Sequence, residues 1–294
     1  MIATKQERAR TIPYVVVDAD KSYFSHDLQE LWRYRDLWWM LAWRDITIRY
    51  KQAFLGAAWV ILQPFIMMLV FSYFMGHLNR VSSGDVPYPL FVYSGLLIWQ
   101  CFVGTLTRTT NSLTQSASMI TKIYFPRLLV PLATVVPPLI DMGYAFLVFI
   151  GMMIYYHVFP TQHYRYVPTL YILWLPLFIL LALITALGVG IWLAVWNIKY
   201  RDIEHLLPVV VQMWMFASPI IYQSSLVPLR LQGYYHLNPV VGVIEGFRWS
   251  LLHHQGDKHP DPTMLAVSAA MALLILFGGI YYFKRAERQF ADVI

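Results

Sequence analysis

Apolar residues along this chain gather into long runs separated by polar, Gly- and Pro-bearing breaks, and a helical run of about 20 such residues crosses about 30 Å of hydrocarbon. Six crossings are predicted: about Leu55 to Gly76, Leu90 to Leu106, Leu129 to Phe159, Leu170 to Trp196, Leu206 to Tyr222 and Met264 to Phe283. The third is long and is broken by Pro131 and by Pro137-Pro138. Between Leu226 and Leu252 the apolar pattern is patchy, with Pro239 and Gly242 interrupting it and Glu245 and Arg248 charging it. That segment reads as too short and too polar to cross, so a re-entrant or interfacial hairpin is predicted there. The expected fold class is all-α, a polytopic membrane protein.

A different pattern precedes the first run. From Ser25 to Trp43, Leu28, Leu31, Trp32, Trp38, Trp39 and Ala42 recur at helical spacing, while Glu30, Arg33 and Asp36 fall elsewhere on the wheel. This predicts a helix lying in the headgroup region, with Ser25 or Asp27 as N-cap. It serves either as a membrane anchor or as a dock for a partner. The stretch RDITIRYKQAFLGAAWVILQP, Arg44 to Pro64, then passes from a basic run into the first apolar one. Two units are expected, an N-terminal arm over residues 1–53 and a membrane-spanning domain over 54–294.

Composition agrees: 58% of the residues are hydrophobic and 13% charged, against about 25% charged in soluble domains. Charge adds orientation, because cations near span ends stay in the cytosol. With the N-terminus inside, only Arg80, Arg165, Arg230, Arg248 and Lys258 of the 22 Lys and Arg residues fall outside, and both termini are cytosolic. The net charge of +6 then reflects membrane lipids of the inner leaflet and requires no nucleic-acid partner. MIATKQERAR lacks the apolar core of a cleaved signal, so the first span is expected to direct insertion. Cys101, the single cysteine, excludes an intramolecular disulfide.

Within the spans, Gln63-Pro64, Pro137-Pro138 and Ser218-Pro219 remove backbone hydrogen bonds and bend helices, as a pathway-lining span or a static bundle would. Asp141 is the one acid deep in a predicted span, and a hydrogen-bonding structural role is expected for it over a proton relay. Aromatic residues are abundant, and Trp59, Tyr73, Trp99, Phe102, Trp192 and Trp214 are candidates to face a pathway, where ring faces stack on sugars. The competing role for each is an interfacial belt.

Enzyme chemistry has one candidate, HHQGDKHPD from His253 to Asp261, whose spacing matches no metal motif and reads as a solvated loop. No phosphate loop of the form G-x-x-x-x-G-K-[ST] and no G-x-S-x-G elbow occurs. If ATP is used, another chain binds it. No catalytic residue, metal ligand or cofactor is expected here.

RYKQAFLGAAWVILQP (Arg49 to Pro64), YSGLLIWQCF (Tyr93 to Phe102), NSLTQSASMITKIYFPRLLVPL (Asn111 to Leu132), NIKYRDIEH (Asn197 to His205), LNPVVGVIEGFRWSLL (Leu237 to Leu252) and the terminal FKRAERQFADVI follow one another along nearly the whole chain. Together they resemble the membrane subunit of ABC transporters that export polysaccharides. The resemblance implies six spans, an N-terminal interface helix carrying Leu31, Trp32, Trp38 and Trp39, and two short re-entrant helices before the last span. It implies a homodimer in the bacterial plasma membrane with two copies of an ATPase subunit, which holds ATP and magnesium. The implied substrate is a lipid-linked polysaccharide such as O-antigen, capsule or teichoic acid. By the same resemblance, Asn111, Ser112, Lys122, Tyr124, Phe125, Pro126 and Arg127 belong to a coupling helix seated in the ATPase, where the residues alone read as an ordinary interhelical loop. Arg201 and Asp202, with Tyr200, form a second contact or an internal salt bridge. Asn238, Pro239, Glu245 and Arg248 belong to an outer gate, where Glu245 and Arg248, three residues apart, either pair with each other or meet the emerging sugar. The alternatives are a lipid or drug exporter and a membrane-embedded transferase using His253, His254 and His259.

Overall fold

The computed structural model describes residues 31–51, 57–79, 81, 83–160, 164, 167, 169–253 and 260–287. The predicted N-cap at Ser25 or Asp27, the boundary between the two expected units and most of the HHQGDKHPD segment lie outside the described residues. Within them every regular element is a helix, and an isolated bridge joins Ser83 and Asp85.

Helix α1 runs Arg35–Lys51, and Leu31 and Trp32 lie in the helical turn that leads into it. The basic run from Arg44 is therefore the second half of α1. Leu41, Ala42 and Ile46 are buried against α5 and α6, while Trp32, Trp39, Met40 and Trp43 are exposed. Leu31 and Trp38 pack on the same cluster as Leu41, so the aromatic face divides between protein and surroundings.

Among the described residues, five helical stretches are long and apolar enough to cross a membrane: Ala58–Leu78, Tyr88–Gln115, Leu129–Val158, Leu170–Lys199 and Pro262–Glu287. The first comprises α2 (Ala57–Phe71), which carries Pro64 internally, and a π-helical extension over Ser72–Leu78. The second is α3 (Tyr88–Gln115), longer than the apolar run predicted. Thr105, Thr110 and Ser112 donate their hydroxyls to the carbonyls of Cys101, Leu106 and Thr109, which satisfies polar groups inside the helix and lets it continue two turns past Leu106.

A short helix α4 (Ala117–Ile120) follows, and the third stretch then divides into α5 (Leu129–Ala133) and α6 (Val136–Val158). The cause is local: Pro137 and Pro138 have no N–H to give the carbonyls of Ala133 and Thr134, so the ladder fails there. At this break the Thr134 hydroxyl donates to the Pro131 carbonyl at 2.7 Å and shares a 2.7 Å bond with the Thr109 hydroxyl, which ties the α5 end to α3.

After a 3₁₀ turn over Leu170–Trp174, α7 (Leu175–Lys199) packs against α3 and the last helix. Helix α8 (Asp202–Phe216) ends short of Ser218-Pro219; its 15 residues rise about 22 Å, less than the predicted fifth crossing requires. Then come α9 (Leu229–His236), α10 (Pro239–Leu252) and α11 (Pro262–Glu287). Helix α10 is buried along most of its length against α3, α7 and α11. Close crossings rest on missing side chains: a Cβ on Gly188 of α7 would lie 2.8 Å from the Leu276 nitrogen of α11, the small-residue contact that lets helices approach without a hydrophobic drive.

Candidate functional site

Hydrogen bonds gather one end of the bundle. The Asn197 amide of α7 donates to Asn111 Oδ1 of α3 at 3.0 Å, and Arg127 donates to the Glu287 carbonyl at the end of α11 at 2.9 Å. Arg44 of α1 reaches the Ser116 hydroxyl. The residues predicted for coupling therefore meet here, in two groups. Asn111 and Ser112 are part of α3, and Ser112 is buried. Phe125 is buried in the cluster beneath α1, with Pro126 and Arg127 partly covered.

Lys122, Ile123 and Tyr124 project outward, Tyr124 with 65% of its surface exposed. At the α7–α8 junction Tyr200 is also 65% exposed, and Arg201 and Asp202 are exposed. No ion pair joins Arg201 to Asp202 among the described residues, which removes the internal salt bridge predicted as one of two roles. Asp202 and Glu204 instead occupy the first turn of α8, where the helix dipole favours acids.

A charged cluster lies deeper at this end. Arg49 Nη2 is 2.8 Å from Asp141 Oδ2, and the Tyr50 hydroxyl donates to Asp141 Oδ1 at 2.6 Å. Tyr144, one turn beyond Asp141, meets the Tyr50 ring edge-on at 6.0 Å. Burial, with the bond to Asp141 after it, pushes the Tyr50 phenol well above its usual range, so it remains a donor at any physiological pH. The basic run and the lone intramembrane acid are thus partners, and the hydrogen-bonding role expected for Asp141 has named donors. A crevice of about 90 Å³ beside them is lined by Arg49, Gln63, Gln100 and Asp141, so the Gln63-Pro64 feature of α2 faces the same cluster. Nothing in spacing pointed to this meeting.

The opposite end is closed by side chains on carbonyls. Asn238 caps α10 by accepting from Val240 N at 3.1 Å. The same oxygen accepts from Trp214 Nε1 at 3.0 Å, while the Asn238 amide donates to Ser218 Oγ at 3.2 Å. Arg248, 8% exposed, donates to the carbonyls of Pro219 and Ile220 at 2.8 and 3.3 Å, with its guanidinium 3.7 Å over the Phe91 ring. Tyr88 Oη donates to the Ile221 carbonyl at 2.7 Å. These donors satisfy carbonyls freed where α8 ends at Ser218-Pro219. Glu245 is not within ion-pairing distance of Arg248, so the predicted pairing does not form: burial turns the guanidinium toward the backbone instead. Pro239 occupies the first turn of α10, where a missing N–H costs nothing.

Of the aromatic candidates, Trp99 and Phe102 are buried inside the chain, and Phe102 meets Trp214 edge-on at 5.2 Å. Trp192 donates to the Ile275 carbonyl and stacks on Tyr282. Trp59 and Tyr73, both on the first span, are exposed.

Residues 36–252 match the family model described as ABC-2 type transporter. The chain belongs to this family. As an ABC-2 type transporter chain it is similar to the O-antigen export system permease protein RfbA of Myxococcus xanthus, 26% identical over 91% of this chain and 98% of that protein. The RfbA permease of Klebsiella pneumoniae is 25% identical over 88% and 95%. The polysialic acid transport protein KpsM of Escherichia coli is 24% identical over 83% and 91%. This ABC-2 chain is a transporter permease whose several long apolar helices mark it as an integral membrane protein.

Proposed function

We propose that this chain is the transmembrane subunit of an ABC exporter that moves a lipid-linked polysaccharide across the bacterial inner membrane. The observation that carries the proposal is the pair of exposed loops at one end, Lys122 to Tyr124 and Tyr200 to Asp202. Near-full-length similarity to permeases named for O-antigen and polysialic acid supports the substrate class.

In this reading α8, extended through the Ser218-Pro219 turn, supplies a sixth crossing, and α9 with α10 forms the re-entrant hairpin; 14 residues of α10 rise about 21 Å. Both termini are cytosolic. Arg44, Arg49, Lys122, Arg127, Arg201 and Arg285 lie at the α1 end, as the tendency of cations to remain inside requires. Residues 1–53 form the arm and 54–294 the permease domain. Two copies assemble with two ATPase subunits that bind ATP and magnesium, since this chain carries no phosphate loop. Closure of the ATPases pushes on the loop around Tyr124, and its anchors to α1 and α11 pass that motion to the spans. Trp59 and Tyr73 offer exposed rings to a sugar chain, and the Asn238–Arg248 segment lies at its exit.

The test is purification of the tagged full-length chain from its native cells, with the bound proteins identified and ATP turnover assayed. Recovery of a Walker-motif subunit in equal amount, with ATP hydrolysis stimulated by lipid-linked glycan, is expected. A solitary chain, or an ATPase stimulated by lipid without glycan, overturns the assignment.

A further inference from the structure

A second cavity, of about 260 Å³, opens between α1, α3 and α5. Its wall includes Arg44 and Asp45 of α1, Arg108 and Gln115 of α3, Ser116 and Thr134. The charges around it do not balance. Arg44 Nη2 is held 2.9 Å from Asp45 Oδ1, and Arg49 Nη2 is held 2.8 Å from Asp141 Oδ2. Arg108 lies within electrostatic reach of both acids, of Arg49 and of Tyr50, yet it makes no hydrogen bond or ion pair among the described residues. Three guanidinium groups therefore share two carboxylates, and each carboxylate is already engaged by another arginine.

A partly buried guanidinium carries five donors and is costly at membrane depth unless acceptors reach it. The protein supplies space instead of an acceptor. The cavity is several times the roughly 30 Å³ share of one water, and its other polar groups include further donors, the Arg44 guanidinium, the Gln115 amide and the Ser116 hydroxyl. Its only acid, Asp45, is engaged at Oδ1 by two nitrogens of Arg44. An arginine fork in such a setting matches the paired oxygens of a phosphate group. Trp39 and Trp43 are exposed on the same helix, as in side chains that sit at headgroup level.

We propose that this cavity binds the phosphate group of an anionic ligand, with Arg108 as the main contact and Arg44 as the second. The proposal goes beyond the export reading: neither an ATPase nor a glycan is needed for it, and it stands or falls separately. Two sources share the chemistry, a phospholipid headgroup arriving from the bilayer and a soluble phosphate arriving from water.

The experiment uses the full-length chain, stripped of lipid and titrated with phosphatidylglycerol, with diacylglycerol lacking phosphate, or with inorganic phosphate at low ionic strength. Binding is followed by native mass spectrometry for the lipids and calorimetry for phosphate. A lipid source predicts that phosphatidylglycerol binds at least about tenfold more tightly than diacylglycerol. Arg108→Gln should then remove that margin and Arg44→Gln part of it, as loss of a charge-assisted bond implies. Phosphate binding that depends on Arg108, without a phosphatidylglycerol margin, supports the site and assigns it to a soluble ligand. Equal binding of every probe by wild type and folded Arg108→Gln overturns the proposal. Should Arg108→Gln fail to fold, the exposed-site variants Arg44→Gln and Gln115→Leu decide, and unchanged affinity in both overturns it.

Discussion

Two arginines, Arg49 and Arg248, are neutralised differently: the first keeps 38% of its side chain exposed and the second is buried. Arg49 meets a carboxylate carried by another helix, within a cluster open to a water-sized crevice. Among the described residues Arg248 meets no carboxylate; two backbone carbonyls and the face of Phe91 receive it. The first arrangement joins α1 to α6 by a bond that exchange with water can open and remake. The second repairs a broken helix end and sits among buried residues, so it has no cheap alternative. The contrast makes the α1–α6 contact the exchangeable one and the Arg248 contact the one without a ready substitute.

The largest effect should follow from disturbing a close helix crossing away from both arginines. Gly188→Leu drives a side chain into the Leu276 backbone, and a loss of about 3 kcal/mol or of folded protein is expected; thermal unfolding in detergent reads it, and an unchanged midpoint would show that α7 and α11 are free to separate. Next comes the charged cluster: Arg49→Gln leaves Asp141 without its cation and should cost about 1–3 kcal/mol. A double-mutant cycle with Asp141→Asn measures coupling directly, and additive losses would mean the pair contributes nothing. Asn238→Ala removes the α10 cap and the acceptor of Trp214, for about 1–2 kcal/mol; tryptophan fluorescence of the variant should shift as the Trp214 N–H loses its partner. The smallest stability change, within about 0.5 kcal/mol, is expected for Lys122→Ala with Tyr124→Ala, both exposed at the surface. The same pair should nonetheless weaken ATPase recovery about tenfold or more, as truncated interface anchors do, and normal recovery would remove the loop from the docking surface.

The long apolar runs gave away most of the helices, because lipid-facing and core-facing residues are both hydrophobic and a span needs only length. Two elements escaped for opposite reasons. Helix α3 runs beyond Leu106 because Thr and Ser hydroxyls fold back on their own helix, which makes a polar sequence behave as an apolar one. Helix α8 stops before Ser218-Pro219, a break that hydropathy alone averages away. The candidate site was legible at its exposed loops through Lys122, Tyr124 and Arg201. The Arg49–Asp141 bond, between residues far apart in sequence, left no trace in periodicity, and Arg108 was hidden as one more cation in a basic protein. Asp141 did stand out, since an acid in a span demands a partner, but the partner's identity required the fold.

Cys101 is the single cysteine of the chain and is buried in the core of α3. The native protein is therefore already a near-silent background for thiol chemistry. A cysteine introduced at position 122 or 230 would be the one site open to a membrane-impermeant maleimide, so the side of the membrane each loop occupies can be read on intact cells without first removing a native residue.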